Sequence, residues 1–400
     1  LFISHHIKRE LVNIPNRFLP KRSDAVSVIT PRIGDNAFYV FDYLSTSTDY
    51  DVKFLFVQWP MPSKLMTTVL ENMKTKYGED KVLFLRSSRG LKHYYSSSWV
   101  FSDGYVAVTK PLGNQKVVQL WHGYIGKRIG YLNPSTPDET SLFRWTTSVF
   151  TTQSSFLALQ FIAEFGLSPN SFVLTSSPRF DLILPKQSKD RAFNALSSMG
   201  IDTSYKHLVL AAPTFRRDRM NNVDPHSSFN IISHYLSEDV EKFLVENDIL
   251  LVLKPHQTLT KYPEYLNKLS KERENIVFID NSMLYSNLLG ITNILPAFDA
   301  LITDYSSVFV DYLLLNRPVI FYVPDYEDAI KSLGYTVNFD TYTPGPKVKT
   351  VNELISAIEA VLFSEKDPYL EKRKCIRDVL IEKWYPEDNT KILLKDIGFL

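Results

Sequence analysis

Cysteine is almost absent: Cys375 is the single one in 400 residues. An internal disulfide and any cysteine-rich metal site are therefore excluded, and a reducing, cytosolic setting fits. Neither charge is in surplus. With 45 basic against 44 acidic residues and a net charge of +1, the chain lacks the basic excess of a dedicated nucleic-acid binder, and no nucleic-acid partner is expected. No apolar run reaches the roughly 18–20 residues of a membrane span. The opening "LFISHHIKRELVNIPNRFLPKR" has no apolar core of signal-peptide length. Its basic residues, mixed with Leu1, Phe2, Ile3, Leu11 and Phe18, suit peripheral contact with an anionic membrane as well as a helix packed on the body. A start without Met is expected of a piece of a longer chain. There is no Walker loop, and "GYIGKRIG" lacks the G-x-G-x-x-G spacing. G-x-S-x-G and H-E-x-x-H are missing too. His5, His6 and His226 have no metal-site spacing, and His93 and His207 read as structural.

What is present is a well-packed composition, 44% hydrophobic and 13% aromatic, in a length beyond what one core usually organises. Short apolar runs alternate with helical patterns. The strand candidates of the first half are "VSVIT", "VKFLFVQ", "KVLFLRS", "GYVAVTK", "KVVQLWH", "SVFTTQ" and "SFVLTSS". Those of the second are "HLVLAAP", "ILLVLKP", "NIVFID", "DALITD" and "RPVIFYVP". Runs rich in Val, Ile and Leu without clean alternation suit strands covered on both faces. Two doubly wound α/β domains around a cleft follow, with a boundary within 184–206. We divide the chain into 1–190, 191–375 and a C-terminal helical segment, 376–400.

In open parallel sheets ligands bind beyond the carboxyl ends of the strands, so the residues following each strand are the informative ones. They are Pro213, Thr214 and Arg216; Lys254 and His256; Thr303, Asp304, Ser306 and Ser307; and, in the first half, His122, Gly123 and Arg179. The helix expected over "SSVFVDYLLLN" offers a phosphate free backbone N–H groups and two hydroxyls; an ordinary serine N-cap explains the same residues. His122 reads as a catalytic base beside a glycine that lets a ligand come close, or as a hydrogen-bonded core histidine. Lys127 and Arg128 read as anion ligands or as a solvated face. Arg179 reads equally as a ligand contact or as a partner of Asp181.

Laid in order, "QLWHGYIGK", "TSSPRFDLI", "LAAPTFRRD", "LVLKPHQ", "DALITDYSSVFVDYLLLNRPVIFYVPD" and "TPGP" resemble the CDP-glycerol glycerophosphotransferase family of teichoic acid and capsule synthesis, over about residues 27–385. The resemblance implies a GT-B fold with an N-terminal acceptor domain and a C-terminal nucleotide domain. It implies transfer of glycerol phosphate from CDP-glycerol, or of another alditol phosphate from a donor such as CDP-ribitol, to a hydroxyl of a polymer or its lipid-linked primer, with release of CMP. On it, His122 is the general base and His256 contacts the diphosphate. Thr303, Ser306 and Ser307 hold phosphate oxygens, and Pro213 and Thr214 lie near the nucleotide. Gly123, Lys127, Arg179, Arg216, Lys254 and Asp304 complete the expected substrate-binding set. No visible ligand set requires a metal, though Mg²⁺ is compatible with a diphosphate donor. The expected location is cytoplasmic, peripheral on the inner face of the membrane. The family usually has "WHGTPLK", "GYPRND" and "PHP" where this chain has Tyr124-Ile125-Gly126-Lys127, Ser176-Ser177-Pro178-Arg179-Phe180-Asp181 and Pro255-His256-Gln257. A GT-B glycosyltransferase using a nucleotide sugar, a nucleotide-sugar epimerase and a non-catalytic binding module remain the alternatives.

Overall fold

The computed structural model describes residues 19–57, 62–104, 111, 113–124, 126–133, 144, 146–217, 223–256 and 273–400. The first half builds a parallel seven-stranded sheet from β1 (Arg22–Ile29), β2 (Asp51–Phe56), β3 (Val82–Phe84), β4 (Ser97–Ser102), β5 (Lys116–Gln119), β6 (Val149–Thr152) and β7 (Phe172–Leu174), in the order β3-β2-β1-β4-β5-β6-β7. The second half begins with β8 (His207–Ala212). A short antiparallel ladder follows, β9 (Arg216–Arg217) with β10 (Val223–Asp224). Then come β11 (Ile249–Leu253), β12 (Ile276–Phe278), β13 (Ala300–Thr303), β14 (Val319–Tyr322) and β15 (Lys347–Val348). Its parallel six-stranded sheet runs β12-β11-β8-β13-β14-β15. All five residues of β11 and all four of β13 are buried, as strands covered on both faces require.

The helices obey local rules. Ser154 caps Ser155–Phe165 by accepting from the Leu157 N–H at 3.1 Å, and Gly166 ends it in the left-handed region at φ 62°. Val351–Phe363 opens on a Thr350/Glu353 capping box.

One expectation lies outside the described residues and one changes. The strand read at 104–110 falls largely on 105–110, which lie outside the described residues; the strand between β1 and β5 is Ser97–Ser102. Its serines disguise it. They are buried; the Ser97 hydroxyl meets that of Ser27 across the sheet at 2.8 Å, which offsets the cost of burying that pair, and the Ser98 hydroxyl donates to the Ser23 carbonyl at 3.3 Å. The helix expected over 306–316 is shorter: α-helix spans Val308–Tyr312, a 3₁₀ turn Leu313–Leu315 follows, and Asn316 ends it at φ 52°.

Residues 376–400, read as a segment apart, close over the first sheet. Leu393 and Leu394 of the helix Asn389–Asp396 are fully buried in the same core as Val26 and Phe38. The Asp181 carboxylate accepts from the N–H groups of Asn389 and Thr390 at 2.7 and 2.9 Å. Asp181 is therefore a helix cap, not the partner of Arg179. The two halves also meet directly. Gly34 (φ +73°) and Gly290 touch backbone to backbone, so closely that a Cβ on Gly34 would lie 2.1 Å from the Gly290 nitrogen. The Asn72 amide donates to the Ser286 carbonyl at 2.6 Å.

Candidate active site

Loops leaving β1, β5 and β7 face loops leaving β8, β11 and β13 across a cleft of ≈ 280 Å³. Strand order reverses between β1 and β4 and between β8 and β13. Both sheets thus aim their switch points at one crevice, where parallel sheets expose strand-end residues to ligand.

His122 stands on the first wall. Trp121 before it takes φ 48°, an unusual conformation for a bulky residue. Two hydrogen bonds hold that turn: the Trp121 N–H donates to Gln119 Oε1 at 3.0 Å, and Asn36 Nδ2 donates to the Trp121 carbonyl at 2.8 Å. The turn delivers the imidazole with Nδ1 2.7 Å from the Asp103 carbonyl oxygen. A carbonyl only accepts, so Nδ1 carries the proton and Nε2 keeps its lone pair. That lone pair accepts from Arg32 Nη2 at 3.2 Å. Burial first, then the Arg32 and Arg179 charges, hold the His122 pKa well below the ordinary histidine value. The imidazole is a neutral base at pH 7.

Arg179 anchors the same wall. Its Nη1 donates to the His122 carbonyl at 2.9 Å and to Asp35 Oδ1 at 3.2 Å. Its Nε forms an ion pair with Asp311 Oδ1 at 3.0 Å, at an angle outside hydrogen bonding. Asp311 belongs to the second half, so this pair ties the walls together. Tyr124, whose ring lies 4.8 Å from the guanidinium, donates its hydroxyl to the same Asp311 oxygen at 2.9 Å. Burial pushes Asp311 up to about 6, with Arg179 opposing the rise.

On the second wall, Lys254 reaches Asn281 Oδ1 at 2.8 Å, and burial pulls its pKa down to about 8. The ring of His256 lies 4.5 Å from that of Phe215. Ser306 and Ser307 are half-buried at the cleft, and Ser306 Oγ lies 3.4 Å from the Val308 N–H. Behind them Asp304 accepts from the Thr214 N–H at 3.0 Å, the Thr214 hydroxyl at 3.1 Å and Arg216 Nη1 at 2.7 Å. Arg216 continues to Asp325 through Nε at 2.5 Å and Nη2 at 3.1 Å.

Of the expected residues, His122, Arg179, Pro213, Thr214, Lys254, His256, Ser306 and Ser307 line the cleft. Others stand elsewhere. The Thr303 hydroxyl donates to the Ala212 carbonyl at 2.9 Å and is wholly buried, so it locks β13 to β8 and does not face a phosphate. Asp304 and Arg216 neutralise each other behind the wall. Gly123 precedes the strap that carries Lys127. That strap crosses to the second half: Lys127 bridges Tyr335 and lies 5.9 Å over the Phe215 ring, while the Arg128 N–H donates to the Gly334 carbonyl at 3.0 Å. The cations of "GYIGKRIG" thus belong to an interdomain contact.

Sequence reasoning missed Arg32, Asp35, Asn281 and Asp311. The strand-end rule finds the first three, because "TPRIGDN" follows β1 and Asn281 follows β12. Asp311, inside "VFVDYLL", carries no local signal. Among the described residues no three His, Cys, Asp or Glu side chains gather to hold a metal ion.

A model of the family described as CDP-Glycerol:Poly(glycerophosphate) glycerophosphotransferase matches residues 15–388. The chain belongs to that family. It is a transferase with the two Rossmann-like domains of the GT-B fold, and the solved wall teichoic acid polymerase TagF shares the architecture. The TM-score is 0.73 at 18% identity, covering 99% of this chain and 94% of that one. A TagF variant soaked with CDPG matches with the same TM-score over 96% of this chain and 91% of its own. The teichoic acid poly(ribitol-phosphate) polymerase of Bacillus spizizenii is 26% identical over 300 residues, 70% of this chain. Its teichoic acid poly(glycerol phosphate) polymerase is 26% identical over 357 residues, 82% of this chain. The alignments span 44% of the first relative's length and 80% of the second's.

Proposed function

We propose that this glycerophosphotransferase family member moves glycerol phosphate, or ribitol phosphate, from the CDP-alditol to a hydroxyl of a teichoic-acid-like or capsular polymer or its lipid-linked primer. The observation that carries the proposal is His122, a neutral imidazole that lines one cleft with Lys254, His256, Ser306 and Ser307 of the opposite wall. The acceptor hydroxyl approaches Nε2. Its oxygen bonds the β-phosphorus while its proton passes to His122, and the bond from that phosphorus to the bridging oxygen breaks, so CMP leaves with the electron pair. Phosphoryl transfer depends mainly on positioning and charge stabilisation. Ser306, Ser307, Lys254 and His256 are the groups suited to hold the diphosphate, and Thr214 and Pro213 to border the nucleotide. A lipid-linked acceptor puts the reaction at the cytoplasmic face of the membrane, reached peripherally. No described helix is long and apolar enough to cross one.

The test is the nucleotide released when the protein meets CDP-glycerol or CDP-ribitol with lipid-linked and oligomeric acceptors. CMP is expected, falling about 10²–10⁴-fold in His122→Ala while donor binding persists. CDP appearing instead from a CDP-linked sugar would make it a glycosyltransferase. Undiminished turnover in His122→Ala would remove the base.

A further inference from the structure

We propose that Arg32 is a positioning residue that reads the acceptor's own phosphate: at rest its guanidinium occupies the His122 lone pair, and an anionic phosphate on the acceptor draws it away and uncovers the base. The inference rests on His122 being that base.

Three observations lead here. First, Arg32 Nη2 lies 3.2 Å from His122 Nε2. A guanidinium only donates, so while this bond lasts the lone pair that must take a proton is engaged. Second, Arg32 is loosely held. Its carboxylate neighbour Asp103 is 4.0 Å away, and its bond to the Asp103 carbonyl is long at 3.4 Å. With 30% of its side chain exposed, it lines the cleft. Arg179, beside it, is 7% exposed and bound to carboxylates on both walls at 3.0 and 3.2 Å. Of the two arginines only Arg32 is free to change partners. Third, room for it is built in. A Cβ on Gly104 would stand 2.5 Å from Arg32 Nη1, so the guanidinium rests where any other residue would place a side chain.

The place of Arg32 decides which anion it reads. Lys254, His256, Ser306 and Ser307 lie on the opposite wall, suited to a donor diphosphate. Arg32 stands beside the base, where the acceptor hydroxyl arrives. In a glycerol phosphate chain that hydroxyl is one glycerol unit from an anionic phosphate. One terminal unit therefore supplies both the group that engages Arg32 and the hydroxyl that takes its place on Nε2. A neutral hydroxyl compound has no means of displacing the arginine.

The measurement is the NMR titration of the His122 imidazole in the full chain, assigned by its loss in His122→Gln. The charged or titratable groups around the imidazole are Arg32 and Asp35 after β1, Asp103 after β4, Arg179 after β7, and Lys254, His256, Tyr285 and Asp311 across the cleft. Removing the Arg32 cation in Arg32→Gln is expected to move the titration to higher pH. Gly104→Ala, which displaces the guanidinium and keeps the arginine, is expected to move it the same way. In the unaltered protein glycerol 3-phosphate should raise it and glycerol should not; in Arg32→Gln glycerol 3-phosphate should lose that effect, and Arg32→Lys should restore part of it. In turnover, Arg32→Gln should raise KM for a glycerol-phosphate oligomer about tenfold to a hundredfold and shift the acid limb of kcat/KM upward. A His122 titration indifferent to Arg32→Gln and Gly104→Ala, or responding to glycerol 3-phosphate equally with and without Arg32, overturns the proposal. Undiminished turnover in His122→Ala would instead sink the base assignment, and the titration would still decide what Arg32 does to the imidazole.

Discussion

Asp103 and Asp304 occupy matching places in the two domains. Each follows a strand paired with its sheet's first strand, β4 beside β1 and β13 beside β8. Each is buried, and each accepts from a threonine hydroxyl on the neighbouring loop, Thr30 at 2.5 Å and Thr214 at 3.1 Å. They differ in their arginine. Arg216 binds Asp304 at 2.7 Å, while Arg32 stays 4.0 Å from Asp103. Burial therefore dominates at Asp103 and pushes it up to about 7. The same α/β geometry thus produces two arrangements. On the second wall the arginine is consumed in fixing a loop. On the first wall it remains available to His122, and Asp103 serves through its backbone carbonyl and a carboxyl with neutral partners.

The largest effect is expected where a buried charge loses one of its two partners. Asp304→Asn leaves Arg216 buried with Asp325 as its sole carboxylate, a loss of about 3 kcal/mol in urea unfolding. Asp103→Asn, at a site where burial already raises the carboxyl to about 7, should cost within about 1 kcal/mol. Equal losses would erase the distinction between the walls.

A smaller effect sharpens the same contrast through pH. The folded-state pKa of Asp103 lies above its unfolded value, so between about pH 4 and 7 the native state binds more protons than the unfolded one. Its contribution to stability is complete below that window and is lost as pH rises through it. Asp311, pushed up to about 6, acts in the same direction. Unfolding free energies measured across pH 4–8 should fall with pH from these groups, and Asp103→Asn should flatten the slope by up to one proton. An unchanged slope would mean that Asp103 is ionised throughout.

Smallest of all is Thr303→Val. One buried hydrogen bond to Ala212 is lost, about 1 kcal/mol, and donor KM should stay unchanged. A raised donor KM would return Thr303 to the ligand-facing wall.

Much of this was legible in the sequence, for a local reason. Apolar runs such as "ILLVL" and "ALIT" declare strands buried on both faces. In a parallel sheet the next residues must then emerge at the carboxyl edge, so His122, Lys254, His256, Ser306 and Ser307 could be placed at a cleft from order alone. β4 escaped because its buried serines are polar, Ser97 meeting Ser27 of β1 and Ser98 the Ser23 carbonyl, and polar residues satisfied in that way look like loop to a periodicity rule.

Alternation and strand-end chemistry, both carried within a few residues, determined two doubly wound domains and a crevice lined by strand-end hydroxyls and cations. Only the tertiary structure decided which cations face that crevice. Arg216 meets Asp304 from 88 residues away and turns inward, Lys127 and Arg128 strap the domains together, and Arg32 reaches His122 across 90 residues. A charged side chain takes its role from the partner that desolvates or neutralises it, and strand order, not sequence spacing, chose those partners.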